Sequence, residues 1–284
     1  MKLATQEDID QILDLAGKVD DGEIHLTDTA LAIAAQESLG ISIERYQIHI
    51  QKMIEEVSMR YKELLVEGAS DDAKTKLAAL KHVIHNTHGY EGDSENYDDL
   101  QNVNLIRVIE RRKGMPVAIS LLYIHVGLAQ NWDVAALNFP AHVVCRIDDS
   151  GERILFDPFH QCKILQAPDL RNLLKTLVSP QAELIAEYYE VASKRELLTR
   201  LQNNIKLRQI EMEEYSEAVK TIETMRRIDP AEYRLLLDAG VLYARTNQAL
   251  AAVDALERYI ELTPSTSDRQ EALMLLQQIR ENLH

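Results

Sequence analysis

The chain has 284 residues, room for one or two domains with a sizeable core, and a formal net charge of −15. Such an acidic balance argues against nonspecific binding to nucleic acid or to an anionic membrane, because association with polyanions needs clustered Lys and Arg. Two cysteines, Cys145 and Cys162, make no disulfide framework and have no metal-ligand spacing, so neither a metal nor a cofactor is expected.

Met1 to Asp8 contain no apolar signal core, and no stretch approaches the ~20 apolar residues of a membrane span, so a cytoplasmic protein is the expectation. Thr5 followed by Asp8 starts a first helix carrying Ile9, Ile12 and Leu13. Thr27 or Asp28 caps a second helix through about Ser38, which Gly40 ends. A long helix follows from about Ser42 to Glu67, with Tyr46, Ile50, Ile54, Val57 and Tyr61 at three- and four-residue steps, and Gly68 stops it. Ser70 or Asp71 starts the next, through about Asn86. His82, His85 and His88 fall three apart near its end; because His88 lies past that end, cations suited to a helix C-terminus describe them better than a zinc site.

Gly89 to Asn104 is an acidic, loop-rich stretch without the ligand spacing of a calcium loop. Leu105 to Arg112 reads as a helix closed by Arg111, Arg112 and Lys113, cations that suit its negative end, with binding of an acidic ligand as the alternative. Gly114 then supplies a turn. Pro116 suits the first helical position, where an N–H would be unbonded anyway, and Val117, Leu121, Ile124 and Leu128 give residues 116 to 130 a core face.

After Trp132 the period becomes two: His142, Val144 and Arg146 alternate with Val143, Cys145 and Ile147, as along a strand. Asp148-Asp149-Ser150-Gly151 is a turn, and Arg153 to Asp157 is the returning strand. A loop of two or four residues centred between Asp149 and Ser150 puts His142 opposite Asp157, and also Arg146 opposite Arg153, a mild like-charge cost. A three-residue loop with Gly151 left-handed would slip the register and separate the pair. Pro168-Asp169 opens a helix through Leu177 that Pro180 breaks, and everything from about Arg195 onward is helical. Pro230 and Pro264 are 34 apart, as are Ala218 and Ala252, and Ile222 and Leu256. That period is the tetratricopeptide (TPR) one, whose helix pairs bury their faces only by stacking, in two units, about 199–232 and 233–266, closed by a helix from Ser267 to Leu283.

Three segments, Arg112-Lys113-Gly114-Met115-Pro116, Asn138-Phe139-Pro140-Ala141-His142 and Asp157-Pro158-Phe159, resemble the transglutaminase and papain-like core. More closely, from about residue 25 onward, the chain resembles the bacterial Sir-B-type family, transglutaminase-like proteins with TPR repeats. The superfamily layout is Gly-x-Cys at a helix start, then a strand His and a strand Asp; here Pro116 stands at the cysteine position. The resemblance implies His142 as base and Asp157 as its orienting group, with Tyr90, Gly92, Tyr97, Asn102, Gly114 and Pro116 lining a cleft beside them. Proline cannot be the thiolate that a helix N-terminus would activate. The residues left as candidate third members are Cys162, just beyond the Asp157 turn, and Ser120, one turn inside the helix; Cys145 faces the other way and reads as a small buried apolar residue.

The expectation is an α+β protein: a helical N-terminal lobe and small antiparallel sheet of a degenerate transglutaminase-like core over residues 1–190, then an all-α TPR-like region over 191–284. Its expected function is that of a pseudoenzyme, a non-catalytic scaffold holding a protein or peptide. Arg200, Asn203, Asn204, Lys206 and Arg208 offer a basic helix for an acidic peptide, with a solvated charge run as the plainer reading. The alternative is an amide-bond hydrolase or acyl transferase using His142 and Asp157 with another nucleophile.

Overall fold

Thr5 and Asp8 cap the first helix as their spacing requires: the Thr5 N–H donates to Asp8 Oδ2 (3.0 Å) and the Asp8 N–H to Thr5 Oγ1 (3.2 Å). The structure is a computed structural model that describes residues 3–37 and 40–281. Helix α1 (Gln6–Lys18) is followed by α2 (Leu26–Ala35), α3 (Glu44–Val66) and α4 (Ala73–Lys81). The expected end of α2 at Ser38 lies outside the described residues. Thr27 does not cap α2 but bonds His125 Nδ1 from inside the first turn (3.2 Å). Asp72 rather than Ser70 or Asp71 caps α4, accepting the Thr75 N–H at 2.8 Å, because Asp71 is held by the Tyr61 hydroxyl. Beyond α4 the chain widens into a π-helical turn, His82–Thr87.

Two short strands, β1 (Glu91–Gly92) and β2 (Lys113–Gly114), pair in parallel around α5 (Leu105–Arg111), a ladder that no sequence period announces. Helix α6 (Pro116–Ala129) carries its proline in the first turn and is buried on nearly every side. Then β3 (Asp133–Ala136), β4 (Cys145–Asp149), β5 (Glu152–Asp157) and β6 (Lys163–Leu165) form an antiparallel meander in chain order. Helix α7 (Ala167–Leu177) is opened by a capping box between Gln166 and Asp169. The expected α+β arrangement therefore stands, with the parallel ladder added.

The β4–β5 register differs from the expected one by two residues. Cys145 faces Phe156, Asp148 faces Arg153, and Ser150-Gly151 are the two central turn residues, with φ of 50° and 87°. A tight hairpin of this twist needs positive φ at both positions, which favours glycine at the second and moves the turn one residue on from Asp149-Ser150. The feared Arg146–Arg153 opposition disappears: Arg153 instead reaches Asp148, through Nη2 at 2.6 Å and Nε at 2.9 Å.

The chain divides into two compact units, Met1–Ile12 with Asp21–Leu197, and Leu13–Asp20 with Leu198–His284. The second holds most of α8 (Lys194–Glu211), then α9 (Tyr215–Ile228), α10 (Arg234–Arg245), α11 (Ala249–Leu262) and α12 (Thr266–Glu281). The closing helix thus starts one residue early, and its expected end at Leu283 lies outside the described residues. Ala218 and Ala252, and Ile222 and Leu256, are fully buried in its core, so the residues that set the period are the ones that pack. Asp14 pairs with the Arg227 guanidinium at 2.8 Å, and a Cβ on Gly17 would stand 2.0 Å from the Arg227 carbonyl oxygen. Backbone cannot yield as a side chain can, so Gly17→Ala is expected to destabilise the protein by about 1–3 kcal/mol in urea unfolding. Gly22→Ala, with open space around its position, is the control and should be near neutral.

Candidate functional site

Asp157 ends β5, and its buried carboxylate accepts four hydrogen bonds. Oδ1 accepts the backbone N–H groups of Phe159 (3.0 Å) and His160 (3.3 Å), an Asx-type turn that fixes the carboxylate plane. Oδ2 accepts from His142 Nε2 at 2.9 Å and from His160 Nδ1 at 2.7 Å. Burial pushes the Asp157 carboxyl up, but hydrogen bonds and charge from His142 and then His160 outweigh it and hold it below the ordinary carboxylate range.

His142 is delivered by a turn, not by a strand as expected. Ala141 has a φ of 59°, and β4 begins only at Cys145. The contact forms nonetheless, because a two-residue slip preserves which face each side chain occupies. The side chains of His142 and Asp157 are 6% and 3% exposed. Phe159 lies edge-on to His142, with ring centroids 6.1 Å apart, and packs against His160 and Tyr97 as well. It can do so because Gly92 has no side chain: a Cβ there would fall 2.3 Å from the Phe159 ring.

Among the described residues, no thiol or hydroxyl is hydrogen-bonded to the pair. Pro116 is buried in the first turn of α6. Ser120 Oγ is buried without a hydrogen-bond partner, and among the described residues His142 bonds only to Asp157. Cys162 is buried, and desolvation pushes its thiol up to about 12 although the neighbouring Tyr123 hydroxyl pulls the other way. Burial raises Cys145 as well, so neither sulfur is a thiolate at neutral pH.

The residues expected to line a cleft are mostly engaged elsewhere. Tyr90 is buried and its hydroxyl meets Arg112 and His49, the latter at 2.9 Å. Asn102 is buried and braces the acidic loop: its Nδ2 donates to the Asn96 carbonyl (2.6 Å) while its Oδ1 accepts from Arg111 (3.0 Å). Asp93 completes that brace, accepting from Arg111 at 2.9 Å. Gly114 lies under Val108, while Tyr97, against Phe159, and Gly92 remain partly exposed. The three helix-end histidines also part company, His85 to the Tyr90 carbonyl (3.0 Å) and His88 to Glu56.

The basic run of α8 is not an open face. Lys206 is buried and paired with Asp238 of α10, while Asn204 Nδ2 donates to the Arg200 carbonyl (2.8 Å) and Arg208 to the Asn204 carbonyl (3.1 Å). Asn203 is half-buried. The sequence reading missed His160; the signal available was Asp-x-x-His across a turn, a spacing that returns the imidazole to its own carboxylate.

A helical lobe, an antiparallel meander carrying a His–Asp pair near a buried helix, and stacked helix pairs define a transglutaminase-like core with tetratricopeptide repeats. Residues 44–203 match the family described as Transglutaminase-like superfamily, and residues 205–280 match Tetratricopeptide repeat. The chain belongs to the transglutaminase-like superfamily, and within it to the SirB type. The "UPF0162 protein" of Xylella fastidiosa (strain Temecula1) is 26% identical over 251 residues, 87% of each chain. "Protein SirB1" of Salmonella typhimurium is 24% identical over 73% of this chain and 76% of its own. The "UPF0162 protein" of Vibrio cholerae is 23% identical over 85% of this chain and 87% of its own. A crystal structure of menin aligns over 93% of this chain and 72% of menin with a TM-score of 0.40 and 9% identity, too slight a likeness to carry any conclusion.

Two measurements test this account of the site. Gly92→Ala should dislodge Phe159 and speed modification of His142 by diethyl pyrocarbonate; an unchanged rate would mean that the ring is not the cover. His49 is half-buried, and burial first, then the Arg112 charge, lower its pKa from 6.5 to about 4. The unfolded chain therefore takes up that proton first as pH falls, and stability drops between about 6.5 and 4. Relative to His49→Gln, the wild type should lose stability across that window; a pH-independent difference would contradict it.

Proposed function

We propose that the protein is a non-catalytic binding protein whose helical repeat holds a polypeptide partner. The observation that carries this reading is the buried His142–Asp157 pair: a base with 6% exposure whose one hydrogen bond among the described residues is to Asp157 has no nucleophile in its grip to activate. Stacked helix pairs, by contrast, offer a surface whose general use is protein contact. The basic α8 residues do not mark that surface, since Lys206 is committed to Asp238. A better marker is Leu207 on α8 and Val241 on α10, which are 34 apart in sequence and therefore equivalent in successive repeats. Both stay exposed, at 47% and 38%, on helices that the Lys206–Asp238 pair ties together.

Affinity capture from the native cell tests the reading with three baits: wild type, Leu207→Glu with Val241→Glu, and His142→Ala. The double variant should lose the captured partners at least about 10-fold, the effect of some 1.4 kcal/mol at an apolar contact. His142→Ala should retain them. Amide hydrolysis by the wild type that His142→Ala abolishes, with the variant still folded, would replace binding by catalysis.

A further inference from the structure

A His–Asp pair needs one imidazole, yet Asp157 has two. His142, from the turn before β4, and His160, from the turn after β5, aim a ring nitrogen at the same carboxylate oxygen, at 2.9 and 2.7 Å. His160 gains nothing obligatory from that bond, since its side chain is 56% exposed and water could satisfy it. The three atoms, His142 Nε2, Asp157 Oδ2 and His160 Nδ1, all lie within 4.8 Å of one another.

Their support is that of a ligand set. The Phe159 and His160 N–H groups grip Oδ1 and stop the carboxylate from rotating, so Oδ2 stays presented to both rings. His142 is buried, and His160 forms one wall of a surface depression that it shares with Glu91, Glu95 and Lys113. We propose that His142 Nε2, Asp157 Oδ2 and His160 Nδ1 bind one first-row divalent transition-metal ion, with zinc as the type, completed by water from the His160 side.

Two imidazoles and one carboxylate suit Zn²⁺, Co²⁺, Ni²⁺, Mn²⁺ or Fe²⁺, whereas Ca²⁺ and Mg²⁺ prefer oxygen throughout. Ligands about 2.1 Å from an ion sit roughly 3.0 Å apart at right angles and 3.4 Å apart in a tetrahedron. The two spacings, 2.9 and 2.7 Å, fall about 0.1–0.3 Å short of the right-angle value and about 0.5–0.7 Å short of the tetrahedral one, and the exposed turn carrying His160 must open by that much. On binding, each ligating nitrogen turns a lone pair to the ion: a neutral ring carries its single hydrogen on the other nitrogen, Nδ1 of His142 and Nε2 of His160, and a cationic ring gives its second proton to water. This site goes beyond the binding role of the repeat and stands or falls without it.

The test uses the full chain, stripped with chelator and titrated with Co²⁺ for its visible absorption and with Zn²⁺ by calorimetry. The wild type should take up one equivalent. His160→Ala removes an exposed side chain that leaves the fold standing, and should weaken binding at least about 10-fold and alter the Co²⁺ band. His25→Ala, an exposed histidine outside the cluster, should change neither. Absence of binding by the wild type, or binding that His160→Ala leaves intact, overturns the proposal. Should His142→Ala fail to fold, the His160→Ala result still decides.

Discussion

A carboxylate taken out of water is costly unless its lone pairs are filled, and Asp157 fills all of them from two backbone N–H groups and two imidazoles. That requirement organises the core. It fixes the turn after β5, holds the segment before β4 against it, and places Phe159 over the buried ring. Removing the buried partner, His142, would leave that charge short of a partner in an apolar surround, a loss of about 3–5 kcal/mol where breaking a buried pair has been measured. The pair is thus a structural necessity whatever chemistry its surroundings permit.

What those surroundings permit is narrow. Helix α6 is buried along nearly its whole length, and the groups it presents inward, Ser120 and Tyr123, find no regular hydrogen-bond partner. The two thiols nearby are protonated by desolvation. An attacking group needs ionisation, or a base within reach, and access; this interior withholds access from every candidate and ionisation from both sulfurs.

The parts of the fold legible in the sequence are those set by local spacing. Thr5 with Asp8, Pro116 at a helix start and the 34-residue period each describe a contact made within a turn or between stacked neighbours. The His142–Asp157 contact was legible for a subtler reason: strand parity survives a two-residue error in register, so the face was right although the turn was not. Illegible features depend on partners distant in sequence. Gly92 pairs with Gly114, and Lys206 with Asp238 32 residues away, so neither the parallel ladder nor the neutralised basic run leaves a local trace. His160 is the exception, a local Asp-x-x-His signal that passes for ordinary loop composition.

Pro116 and the Phe159 cover are joined by one hydrogen-bonded strip. Gly92 lies beside Gly114 in the ladder, its N–H donates to the Phe159 carbonyl (3.1 Å), and the Asp93 N–H donates to the Gly114 carbonyl (3.1 Å). The turn that delivers Pro116 is therefore joined, through β2 and β1, to the turn that carries the aromatic cover. A bulkier residue at position 92 would part the cover from the ladder, whereas glycine lets the ring lie on the backbone. At the head of α6 that strip carries Pro116, itself buried. Laying Phe159 along it buries the ring, worth roughly 2 kcal/mol of apolar transfer.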